Sequence, residues 1–148
     1  MIFDNYKDFP RVGRIIGLDW GARRCGVAVS DLERNFVFVR PQINVGGTGE
    51  LIDKLLPVFE EEGVVGIIIG LPLRTDGTDS ETTRAVRNFA QTLSEKTDLP
   101  ILFVEENLTS LSAQEEIGGK DIKKIKNELD SLSARIILEN AISLLKRN

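Results

Sequence analysis

The sequence predicts an α/β fold in which antiparallel strands open one mixed sheet, parallel strands continue it, and helices cover both faces. Three observations carry this. Ile15 to Asp31 reads as strand, tight turn, strand. Val64-Val65-Gly66-Ile67-Ile68-Ile69 is apolar on both faces, as a central parallel strand must be. Pro100-Ile101-Leu102-Phe103-Val104 repeats that signature beyond an intervening helical pattern.

The elements follow in order. At 148 residues the chain suits one domain spanning 1–148. Met1 to Gly13 carries Asp4, Lys7, Asp8 and Arg11 and no apolar run, so a loosely held arm is expected there, neither signal peptide nor anchor. Along the first strand, Ile15, Gly17 and Asp19 share one face, while Ile16, Leu18 and Trp20 share the other. Phe36 to Val45 supplies a third strand, which Gly46-Gly47-Thr48-Gly49 ends. A helix follows from about Glu50 to Glu62 with Leu51, Leu55, Val58 and Phe59 on its apolar face, and Pro57 predicts a kink or a late restart within it. After Gly70-Leu71-Pro72-Leu73 and a loop through Asp76-Gly77, a helix is expected from about Glu81 to Lys96, N-capped by Ser80. The last buried strand ends at Glu105-Glu106. A short helix with Ser112 and Glu115 at capping-box spacing comes next, then a lysine-rich connector opened by Gly118-Gly119, then a final helix from about Glu128 to Lys146.

Composition excludes several chemistries. The chain has no histidine, which removes Ser-His-Asp and Cys-His catalysis, His-dependent zinc sites and imidazole bases together. Hydrolysis must then rely on carboxylates, with Mg²⁺ or Mn²⁺ as the ions suited to oxygen-only sites. The lone Cys25 offers no disulfide and fits a reducing cytoplasm. No segment reaches the length of a transmembrane helix, so no membrane partner is expected. The net charge of −4 weakly opposes nucleic-acid binding, although local clustering overrides a net value.

Three carboxylate positions are locally odd. A buried Asp19 is costly unless paired, hydrogen-bonded or bound to metal, and its rival role is to open an Asp-x-Gly turn. Glu105 and Glu106 stand at the C-terminal sheet edge, where α/β proteins place ligands; the rival role is a pair of solvated strand-end charges. Asp130 extends the apolar face of Ala134, Ile137 and Ala141, and its rival role is the N-cap of a helix starting there.

Four ordered motifs resemble those of the YqgF/RuvX family, which has an RNase H-like fold. They are Ile15 to Asp31; Gly70-Leu71-Pro72-Leu73 with Asp76-Gly77-Thr78; Glu105-Glu106-Asn107-Leu108-Thr109-Ser110; and Asp130-Ser131-Leu132-Ser133-Ala134-Arg135-Ile136-Ile137-Leu138. An Asp-x-Gly strand also opens actin-like ATPases, but that fold needs two such domains and far more chain. The resemblance implies Asp19, Glu106 and Asp130 as an acidic triad. Such carboxylates hold two metal ions roughly 3.5–4 Å apart that clamp the attacking and leaving oxygens of an in-line displacement. Glu105 stands where the family usually has Asp and is a further candidate ligand, and Asn107 replaces the usual Arg.

Lys120, Lys123, Lys124 and Lys126, with only Asp121 as counter-charge, form either a solvated loop or a basic lid that meets phosphate. Arg23 and Arg24, in the turn after Asp19, are also candidates for phosphate contact or plain turn charges. Ser80 and Thr83 are either phosphate donors at a helix start or simple caps, and Trp20 either stacks a base or fills the core.

The resulting expectation is a metal-dependent endonuclease acting on nucleic acid, either trimming the 5′ end of pre-16S ribosomal RNA or resolving branched DNA as a Holliday junction resolvase. A monomer suits the first task and a homodimer the second. The rival of a different class is a non-catalytic, nucleic-acid-binding ribosome-assembly factor, favoured by Asn107 and the acidic charge.

Overall fold

The computed structural model describes residues 1–3, 5–74, 76–106 and 122–147, with side chains from 132 onward in the last stretch. Six strands form one sheet: β1 (Ile2–Phe3), β2 (Ile15–Asp19), β3 (Arg24–Ser30), β4 (Val37–Asn44), β5 (Gly66–Leu71) and β6 (Ile101–Glu105). Their order is β1-β6-β5-β2-β3-β4. β2, β3 and β4 form the antiparallel meander, and β5 joins β2 in parallel, followed by β6 and β1. Three helices cover the sheet: α1 (Thr48–Glu62), α2 (Glu81–Ser94) and α3 (Ile122–Arg147).

Strand alternation divides the core in two. Ile16, Leu18, Ile67, Ile69 and Ile101 face α1 and α2, where they meet Leu51, Leu55, Phe59, Val86, Phe89 and Leu93. Ile15, Ala28, Ile68, Leu102 and Val104 face α3, where they meet Ala134, Ile137, Leu138 and Ala141. Trp20 belongs to the first layer, its ring centroid 6.3 Å from that of Phe89, so it packs in the core.

α1 is one element that passes through Pro57 without restarting. Pro57 and Asp53, the residue whose carbonyl loses its partner, are both exposed, so water takes over that bond. Burial of Leu51, Ile52, Leu55 and Phe59 on the opposite side offsets the cost of the proline. Gly63 ends α1 in the left-handed conformation, φ 65°, its N–H donating to Phe59 and Glu60 carbonyls. Ser80 and Thr83 form a reciprocal capping box at α2, and the buried Thr83 hydroxyl also donates to the Pro72 carbonyl. Capping therefore accounts for both hydroxyls.

Two expectations change. The N-terminal arm is anchored: β1 pairs in parallel with Ile101 and Leu102 of β6, and Phe9 is buried against Gly66. The last helix starts at Ile122 rather than Glu128, so Lys123, Lys124 and Lys126 are helical rather than parts of a connector. The short helix expected around Ser112 and Glu115 lies outside the described residues, as does Asn107.

α3 lies close on β2 because Gly17 has no side chain. A Cβ there would sit 2.8 Å from Leu138 Cβ and 3.1 Å from the Ala134 carbonyl oxygen. Neither atom is the end of a flexible side chain, so Gly17→Ala must push the helix off the sheet. We expect a loss of about 1–3 kcal/mol in chemical denaturation, typical of overpacking. An unchanged midpoint would show that α3 can rise at no cost in stability.

Candidate active site

Asp19 is the last residue of β2 and lies two positions beyond Gly17, on the α3 side of the sheet. Gly26 of β3 is its paired residue on one flank. On the other, one further step of the β2–β5 register beyond Leu18 and Ile69 brings Gly70 beside it. The Asp19 carboxylate is thus flanked by glycine on both neighbouring strands, which leaves its surroundings open to a ligand.

Glu106 directly follows β6, and its N–H donates to the Leu71 carbonyl at 3.0 Å, carrying the ladder one residue past the strand. Leu102 and Val104 face α3, so alternation puts Glu106 on the same side as Asp19. Its Oε2 lies only 3.2 Å from where a Cβ at Gly70 would be. The Ile137 side chain of α3 lies nearer still, so Gly70 makes room for Ile137 and the Glu106 carboxylate together, a role that the sequence alone did not assign to it. The signal was a second glycine in the otherwise aliphatic run from Gly66 to Leu71.

Glu105 departs from its place as a further candidate ligand. It pairs with Leu71, is exposed, and points to the face opposite Glu106. The structure does not bring it to Asp19.

Asp130 falls eight residues after the first residue of α3, which excludes a helix-start cap. Lys146 bonds Asn35 at the far end of the sheet, while Ala134 stands over Gly17. The helix therefore runs backward toward the Asp19 end, and position 130 is one turn closer to it than Ala134. The Asp130 side chain lies outside the described residues, as do Lys120 and the side chains of Lys123, Lys124 and Lys126. Arg23 is exposed in the β2–β3 turn at the Asp19 end, and Arg24, half-buried, opens β3.

Among the described residues no three acidic, cysteine or histidine groups cluster as a metal site. Asp19 and Glu106 nonetheless fit a hard divalent cation, because both donors are carboxylate oxygens on one face of the sheet.

Comparison with known proteins identifies the family. The family model RuvX, described as Holliday junction resolvase, matches residues 13–144. A protein of Maridesulfovibrio salexigens named "Putative pre-16S rRNA nuclease" is 41% identical over 128 residues, covering 85% of this chain and 95% of its own length. A protein of Nitratidesulfovibrio vulgaris with the same name is 36% identical over 133 residues, covering 88% and 94%. The structure of Thermus thermophilus RuvC in complex with Holliday junction substrate shares the fold, with TM-score 0.58 at 11% identity over 90% of this chain and 96% of that one. Family match and identity together show that the chain belongs to the RuvX family.

Proposed function

We propose that this protein is a metal-dependent endonuclease that hydrolyses phosphodiesters in nucleic acid, and that its task is 5′-end processing of pre-16S ribosomal RNA. The placement of Asp19 and Glu106 on one sheet face, with Gly70 between them, carries the chemistry. The names of its relatives support the substrate.

Asp19, Glu106 and Asp130 would hold Mg²⁺ or Mn²⁺. Two such ions, when bound, supply stabilisation of charge at the attacking and leaving oxygens. The chain's own part is to fix the donors. β2 ends at Asp19, the β5 ladder holds the Glu106 backbone through Leu71, and the close seat of α3 on Gly17 sets the level of position 130. Arg23 and Arg24, in and just after the turn that follows Asp19, would be the groups to meet a substrate phosphate. The buried Cys25, the one cysteine of the sequence, suits a reducing cytoplasm, and among the described residues no helix is long and apolar enough to cross a membrane.

Holliday junction resolution is the second reading, favoured by the description of the family model. Labelled pre-16S precursor and four-way junction DNA, each incubated with and without Mn²⁺, separate the two. We expect metal-dependent cleavage of the precursor and little of the junction. Cleavage of the junction alone would reverse the assignment. Binding without cleavage of either would return the protein to the class of assembly factors.

The lysines add a salt dependence. Affinity for precursor, read in EDTA, should fall as salt rises. Changing Lys120, Lys123, Lys124 and Lys126 to Gln should flatten the slope by about one for each lysine that meets a phosphate in the wild type. An unchanged slope would leave Arg23 and Arg24 as the groups that meet phosphate.

A further inference from the structure

β1 pairs with Ile101 and Leu102 of β6, and among the described residues no strand pairs with the outer edge of β6 from Phe103 to Glu105. A hollow of about 700 Å³ opens there. Its walls include Phe3, Tyr6 and Phe103, the basic residues Arg87 and Arg147, and Glu105. Arg87 lies 5.9 Å from the centroid of the Phe103 ring and 3.3 Å from Asp79. Its five N–H donors leave some for another acceptor. Burial and the nearby Glu105 carboxylate push the Tyr6 hydroxyl above its ordinary pKa, so the phenol stays neutral and its ring faces a partly shielded space.

We propose that this edge hollow is a subsite for unpaired nucleotides of the substrate flanking the scissile phosphate, with bases against Phe3, Tyr6 and Phe103 and phosphates against Arg87 and Arg147. This rests on the nuclease reading and adds to it that the segment leaving the site on the β6 side is single-stranded.

Continuity selects the occupant. Val104 lines the hollow and shares the α3 side of the sheet with Glu106, so a strand crossing the carboxylates at the C-terminal sheet edge enters the hollow from that side. Ring faces beside guanidinium groups are the combination that holds single-stranded nucleic acid with little regard to sequence. A duplex keeps its base faces stacked inside and offers nothing to the rings. The open β6 edge also has the backbone form to accept a peptide strand. An edge meant only for a peptide needs neither two arginines nor three rings.

Fluorescence anisotropy with labelled oligoadenylate, oligouridylate and an RNA hairpin, all in EDTA, tests this without turnover. Oligoadenylate should bind more tightly than oligouridylate, since the larger base stacks better. The double variant Tyr6→Leu/Phe103→Leu keeps apolar bulk and should lose about tenfold in oligoadenylate affinity for each base stack removed. Its binding to the hairpin stem should hardly change. Arg147→Gln, at an exposed helix end where folding is not at risk, should weaken both single strands and flatten their salt dependence. Unchanged single-strand binding in both variants overturns the subsite, and the free edge then falls to a peptide partner. Asp19→Asn separates the two proposals because Asp19 is not in the hollow. That variant should bind oligoadenylate as the wild type does. Absence of ring dependence with cleavage intact would remove the subsite alone. A wild type that binds but never cleaves would remove the nuclease reading alone.

Discussion

Asp19→Asn is expected to abolish cleavage while the protein stays folded. The amide keeps the size of the carboxylate and removes the negative charge that a divalent ion requires of an oxygen ligand. The residues on its two flanks, the paired Gly26 and, one register step beyond Ile69, Gly70, have no side chains and offer no substitute donor. The loss should exceed the 10–100-fold typical of changes one shell further from a metal, so about 100-fold is its lower bound. Circular dichroism should match that of the wild type, because Asp19 ends its strand and the packing of β2 rests on Ile15, Ile16 and Leu18. Titration calorimetry with Mn²⁺ should show the binding heat abolished or sharply reduced. Asp130→Asn should behave similarly, since position 130 lies inside α3 and has no cap to lose. A folded Asp19→Asn protein that still cleaves would remove Asp19 from the chemistry.

The fold was largely legible because its central strands are written in uninterrupted aliphatic runs. Gly66 to Leu71 and Ile101 to Val104 have helices on both sides, so both faces had to be apolar. What escaped was short or polar. β1 is two residues long, too few for any period, and depends on Ile101 and Leu102 from the distant β6. The first turns of α3 escaped because the lysines between Lys120 and Lys126 and the glycines before them read as a connector. The sequence did carry the signal: Ile122, Ile125 and Leu129 fall three and four apart, a helical spacing. Pro57 misled in the other direction, since a proline on the solvent side of an amphipathic helix costs a bond that water replaces.

The candidate site was legible in part for a similar reason. Alternation along β2 is enough to put Asp19 on the same face as Gly17, and both lie on the α3 side. Composition pointed to carboxylate chemistry because histidine is absent. Neither could show that Gly70 separates Asp19 from Glu106, because that depends on the register between β2 and β5, which no local pattern encodes. The same holds for the hollow beside β6, whose aromatic residues 3, 6 and 103 are far apart in the chain and line one space only in the folded sheet.

Glu106→Gln and Glu105→Gln form the last pair, and their difference is sharper than either alone. The two side chains are chemically identical and adjacent, so composition, charge and helix or strand propensity change equally in both variants. Only the face differs. Glu106 lies on the α3 side with its Oε2 beside Gly70 and Ile137, while Glu105 points the other way and lines the edge hollow. Glu106→Gln should therefore lose cleavage by more than about 100-fold, the ceiling for effects relayed from outside a metal's own ligands. Glu105→Gln should keep cleavage within a few-fold, and by removing a negative charge from a surface that meets phosphates it should tighten oligoadenylate binding at low salt. Rates at saturating Mn²⁺ and affinities in EDTA, measured on both variants, read the two effects separately. If Glu105→Gln is the inactive one, the ladder past Leu71 is shifted by one residue in the working enzyme, and the acidic pair exchanges roles because a single step of register exchanges the faces of a strand.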